Sequence, residues 1–189
     1  SNRHIGGSPS ITKRYGGASY TRRTQAFLIA LQSVGWVFNS TIASALNTMD
    51  LALISAGLLP SGTGAGKIKV LYPFVGGTAS THKFNFVDPQ DTDAAFRLTF
   101  YGGWTHSATG ALPNGTNAYG NTHFNPNNDA IINAGAFGLY SRNNRGGSTS
   151  KYEGAEDDNT SWECVPRYSG DNVYMRVNDF ANYIQSVTS

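Results

Sequence analysis

A chain of 189 residues, 39% apolar and only 14% charged, has room for one ordinary domain and an appendage. Its 22 glycines and 12% aromatics favour turns and strands over a helical bundle, which would carry more Ala, Leu, Glu and Lys. The single Cys164 excludes an internal disulfide framework, five basic charges over the first 23 residues are too sparse to favour nucleic acid, and no apolar run approaches the roughly 18 residues of a membrane span.

Residues 1–23 lack periodicity and hold two Gly-Gly pairs and a proline, which predicts an extended arm with no core of its own. Arg3, Lys13, Arg14, Arg22 and Arg23 all precede the first acidic residue, Asp50. A basic arm ahead of a mildly acidic body predicts anchoring on an acidic neighbour, and these five residues are the expected partner contacts. No signal-peptide pattern is expected at the opening residues.

Residues 24–58 read as two short helices. Phe27, Leu28, Ala30, Leu31 and Val34 fall near helical spacing, and Gly35 is placed to end that turn. Ser40 or Thr41 is a good N-cap for a second helix, whose face is expected to be Ile42, Ala45, Leu46, Met49, Leu53 and Ile54, with Gly57 at its end. The pair is expected to act as an anchor, and its apolar stripe reads as packing rather than a cofactor box.

The stretch 59–67, with Gly62, Gly64, Gly66 and Lys67, invites comparison with a phosphate loop. The pattern fails, because Ser61 stands where the first glycine belongs and Ile68 where a hydroxyl should bind magnesium. No nucleotide is expected, and the segment reads as a flexible linker.

From residue 68 the apolar period shortens to two. Ile68, Val70 and Tyr72, then Phe84 and Phe86, then Phe96, Leu98 and Phe100, and finally Val173, Met175 and Val177 alternate with other residues as half-buried strands do. Turn-rich segments separate them. The expectation for 68–189 is a β-sandwich or jelly roll.

Few constellations carry chemistry. Asp88, Asp91 and Asp93, or Glu156, Asp157 and Asp158, hold oxygen ligands of the kind calcium takes, but the EF-hand offsets are missing and solvated carboxylates are the plainer reading. His4, His82, His106 and His123 show no zinc spacing, no nucleophile elbow occurs, and Cys164 has no identifiable base. No enzyme, metal or cofactor is expected. The best ligand candidates are aromatic. Trp104 and His106 share one face of an extended stretch, as do Tyr140 and Arg142; an aromatic ring takes a sugar face while His or Arg bonds hydroxyls. Core packing of Trp104 and Tyr140 is the competing reading, and Trp36 and Trp162 have only packing readings.

The segment VLYPFVGGTASTHKFNFVDPQDTDAAFRLTFYGGWTHSATGALPNGTNAYGNTHFNP (70–126), led by STIASALNTMDLALISAGL, resembles structural proteins of tailed bacteriophages. NGTNAYGNTHFNP is also similar to a strand pair of laminin-G or concanavalin-like lectin domains. The resemblance covers about residues 24–178. It implies a mainly β protein, a concanavalin-like jelly-roll sandwich behind an extended arm and two short helices. It further implies a non-enzymatic virion component that contacts other virion proteins and copies of itself, with host-surface glycan binding through Trp104, His106, Tyr140 and Arg142 as the alternative task. Such proteins usually continue past VND-F with more strands, so a fragment, or a sheet completed by another chain, is expected.

Overall fold

The computed structural model describes residues 19–130, 135–140 and 142, and beyond these the backbone of four strands. Arg3, Lys13 and Arg14 lie outside the described residues, as do Asp157 and Asp158. The chain divides into two compact units, one running to Leu112 and including Tyr119–His123, the other formed by Pro113–Ala118 and the chain from Phe124 on.

The first unit begins with helix α1 (Arg22–Ser33). The Thr21 hydroxyl accepts the Thr24 N–H at its start. At its end Gly35, at φ +91°, lets the Gly35 and Trp36 amides turn back to Gln32 and Leu31. Helix α2 (Ser40–Ser55) is capped by Asn39, one residue ahead of the expected hydroxyls, whose amide oxygen accepts the Ile42 N–H. Gly57 closes it by the same backward pair of bonds, to Ile54 and Leu53.

Phe27, Leu28 and Leu31 of α1 meet Ala43 and Leu46 of α2, together with Tyr20, Phe84 and Phe86. Burial of each large side chain contributes roughly 1.5–3 kcal/mol. The two helices are thus core elements of the unit rather than a separate anchor, because Phe84 and Phe86 from the following chain complete their interior. Phe27 packs edge-on against Phe86 with centroids 5.1 Å apart.

The chain from 68 to 98 corrects the strand expectation. Ile68–Tyr72 and Phe84–Val87 are irregular, and the regular pieces between 68 and 98 are a one-turn helix α3 (Ala79–His82) and a 3₁₀ turn (Asp93–Ala95). Asn85 explains this. It is fully buried, its Oδ1 accepts the Leu71 and Val87 amides, and its Nδ2 donates to the Lys69 and Ala95 carbonyls. One side chain thereby satisfies backbone groups that a ladder would otherwise pair. Phe96 sits at φ +56° while its carbonyl accepts the Tyr72 hydroxyl, so the strand starts only at Thr99.

Strand β1 (Thr99–Tyr101) pairs antiparallel with β4 (Tyr119–Asn121), and β2 (Trp104–Ser107) pairs with β3 (Gly110–Pro113). In the second unit, Asn114 Oδ1 accepts the amides of Thr116, Asn117 and Ala118, and a short helix α4 (Pro126–Asp129) follows. Strands β5 (Glu153–Glu156), β6 (Ser161–Tyr168), β7 (Asn172–Val177) and β8 (Tyr183–Ser186) then form one antiparallel sheet in sequence order. The β6–β7 register slips between Val165 and Tyr168, next to Pro166, which has no N–H to give. Sequential order is a meander. Among the described strands the one non-consecutive pairing, β1 with β4, is a two-stranded sheet and does not make the Greek-key order of a jelly roll.

Candidate aromatic ligand site

The first unit gathers seven rings from separated parts of the chain. In the β1–β4 register Tyr101 stands directly opposite Tyr119. Their rings stack at 4.8 Å with an interplanar angle of 13°, and they are 43% and 58% exposed. Phe100 points the other way, opposite Gly120. A Cβ on Gly120 would come within 3.0 Å of Leu98, so a larger residue would press into that packing.

The Trp104 indole N–H donates to the Tyr101 and Tyr119 carbonyls at 3.0 and 3.3 Å. This fixes the indole to the end of the strand pair and leaves it only its ring for a ligand. Trp104 packs edge-on to Phe100 at 5.3 Å and lies at 28° to the His106 ring, 6.2 Å away. His106 is edge-on to Phe100 at 4.6 Å and meets His82 across a 2.9 Å Nδ1–Nδ1 contact. Phe74, at φ +51°, covers His82 edge-on at 5.3 Å.

His82 is buried, and its Nε2 accepts the Gly77 N–H at 3.1 Å. Burial first, and the neighbouring His106 second, lower its pKa to about 4. Burial also lowers that of His106. Both imidazoles are therefore neutral at pH 7.

Trp104 and His106 are brought together as their spacing implied. Tyr140 is 86% exposed and belongs with Arg142 to the second unit, so these two are a surface of that unit. The sequence pattern missed Tyr101, Tyr119, Phe74, Phe100 and His82. Only the closeness of Tyr101 to Trp104 hinted at the first; the others depend on register and on the turn at Phe74.

The remaining expected residues have other occupations. Arg22 is exposed, but Arg23 is fully buried and its Nη1 pairs with the equally buried Asp50. That charge is spent inside the fold, which corrects its expected role as a partner contact. Asp91 pairs with Lys83 at 2.6 Å and Arg97 at 3.0 Å, and Asp93 pairs with Arg97 at 2.8 Å. The hydrogen bond from Lys83, more than that from Arg97, holds the Asp91 carboxyl below its usual range. Asp88 accepts from Gln90, and His123 bonds Thr99. Among the described residues no three His, Cys, Asp or Glu side chains cluster as metal ligands would, and no helix is long and apolar enough to cross a membrane.

No protein-family model, curated protein or solved structure matches the chain.

Proposed function

We propose that the protein is a non-enzymatic recognition component of a tailed-bacteriophage virion, and that its aromatic site holds carbohydrate. The observation that carries the carbohydrate reading is the solvent-facing Tyr101–Tyr119 stack, set by strand register and tied to Trp104. Aromatic rings already fixed in place present large faces at little entropic cost, and pyranose rings pack against such faces. Bases stack on aromatics as well, but among the described cations Lys83 and Arg97, the nearest in sequence to these rings on their N-terminal side, are engaged by Asp91 and Asp93 rather than free for phosphates. The virion part rests on the sequence resemblance alone.

A glycan array of bacterial surface saccharides, probed with the wild type and with Tyr119→Ala, tests this. Binding lost in the variant at unchanged thermal stability supports the reading. Absence of binding by the wild type to every saccharide removes it.

A second reading, a structural subunit that contacts copies of itself, draws on the exposed Ile29, Val37 and Leu51, at 48%, 83% and 51%. Sedimentation across a concentration series tests that reading, and a monomer at every concentration removes it.

A further inference from the structure

Resting on the carbohydrate reading, we infer that His106 determines specificity beside Trp104, on the Phe100 face of the β1–β4 pair rather than on the Tyr101–Tyr119 face, by presenting a fixed Nε2–H donor to the acetamido carbonyl of an N-acetylated sugar. The hydrogen-bond chain sets the direction of this donor. The Gly77 backbone N–H can only donate, so His82 Nε2 accepts it and the neutral His82 ring carries its proton on Nδ1. That proton points to His106 Nδ1, 2.9 Å away, which must then accept. A neutral His106 is left with its proton on Nε2.

Two further observations place that proton where a ligand can use it. Among the described residues none hydrogen-bonds His106 Nε2, yet Arg23 Nε alone among the described buried side-chain atoms lacks a partner, so His106 Nε2 is not sealed from solvent by them. The ring is also held in place, edge-on to Phe100 at 4.6 Å and at 28° to Trp104. A serine hydroxyl rotates between giving and taking a hydrogen bond, whereas this group only gives. The lowered pKa of both histidines keeps the ring neutral, and the direction of the chain intact, near pH 7.

A lone donor selects for acceptors. An amide carbonyl accepts more strongly than a sugar hydroxyl, and the acetamido methyl would lie against the apolar surface of Phe100 and Trp104. A hexose without that group leaves the donor with a weaker partner and the apolar surface uncovered.

The test uses the full chain and two probes, the trisaccharide of N-acetylglucosamine and the corresponding glucose trisaccharide. Long-range ¹H–¹⁵N NMR reads the tautomers directly, with Nδ1–H expected on His82 and Nε2–H on His106. The N-acetylated probe is expected to bind about three- to tenfold more tightly, which is the range of one hydrogen bond. His106→Phe keeps a ring and loses this preference, while His106→Gln, which restores an N–H, keeps much of it. The opposite tautomer on His106, or equal binding of the two probes, overturns the inference and leaves the carbohydrate reading standing. Binding of neither probe overturns the inference, and the array then decides the carbohydrate reading by itself.

Discussion

Arg23 and Asp50, 27 residues apart, form an ion pair in which neither side chain is exposed to solvent. The pair ties the start of α1 to α2 and reaches further. Arg23 Nη2 donates to the Pro60 and Gly64 carbonyls at 3.0 and 3.2 Å, and the Thr21 hydroxyl donates to the second Asp50 oxygen at 2.6 Å. Two helices and the glycine-rich loop therefore share one polar knot, with only Arg23 Nε left without a partner. A buried charge with its counter-charge removed cannot recover its hydration, so the two residues depend strongly on each other.

Asp50→Ala is expected to destabilise the first unit by about 3–5 kcal/mol, because it leaves the Arg23 guanidinium buried and unpaired. Arg23→Met combined with Asp50→Leu removes both charges and is expected to recover most of that loss. Urea unfolding followed by tryptophan fluorescence measures both variants. A double variant as unstable as the single one would mean that the Pro60 and Gly64 contacts, not the charges, dominate the knot.

Asn85 supports the irregular chain from 68 to 98 much as a strand partner would. Asn85→Ala leaves two amides and two carbonyls without their partner in a place where Asn85 itself is fully buried. Each orphaned group costs about 1–3 kcal/mol where water does not reach it. A loss on the order of 3 kcal/mol is expected, with the Leu71 and Val87 amides losing protection in hydrogen exchange. Unchanged protection of both amides would show that other groups hold this segment.

The helices were legible in the sequence because their information is local. Spacing placed Phe27, Leu28 and Leu31 on one face, and Gly35 and Gly57 sit just beyond the two helix ends. The segment 68–98 was not legible, since the same alternation of Phe84 and Phe86 with Asn85 suits a strand. All three are buried, Phe84 and Phe86 by packing on the helices and Asn85 by its bonds to distant backbone. At the candidate site the Trp104–His106 pairing followed from a two-residue spacing. Tyr101 and Tyr119 meet through a strand register that no short window contains, and His82 reaches His106 across 24 residues. Arg23 looked like its neighbour Arg22 because charge alone does not say which of two adjacent helix positions faces inward.

The histidine pair gives stability a pH dependence. His82 has its pKa lowered from 6.5 to about 4 in the folded chain, and His106 is lowered as well. A base with a depressed folded pKa binds fewer protons folded than unfolded, so its contribution is full above pH 6.5 and is lost as pH falls toward 4. For His82 that loss amounts to about 3 kcal/mol at most. Thermal midpoints measured from pH 7.5 to 4 should fall mostly below 6.5, and His82→Gln, which cannot titrate, should flatten the curve. A curve equally steep in His82→Gln would assign the acid sensitivity to carboxylates.

The glycine-rich loop discriminates between a linker and a folded element. Gly62 faces open space, while a Cβ on Gly66 would stand 2.6 Å from the Leu58 carbonyl oxygen and 3.0 Å from Leu59 Cα. Those neighbours are backbone, held where the Lys67 and Ile68 amides donate to that same Leu58 carbonyl, so they have no rotamer by which to retreat. Gly62→Ala is expected to be neutral, or stabilising by up to about 1 kcal/mol through the unfolded chain, whereas Gly66→Ala is expected to cost about 1–3 kcal/mol. Because the loop carbonyls also receive Arg23, Gly66→Ala should weaken the Asp50 knot and lose part of its effect in the Arg23→Met, Asp50→Leu background. Urea unfolding of the four chains measures this coupling. Equal stability of Gly62→Ala and Gly66→Ala would return the segment to the flexible linker that its composition suggests.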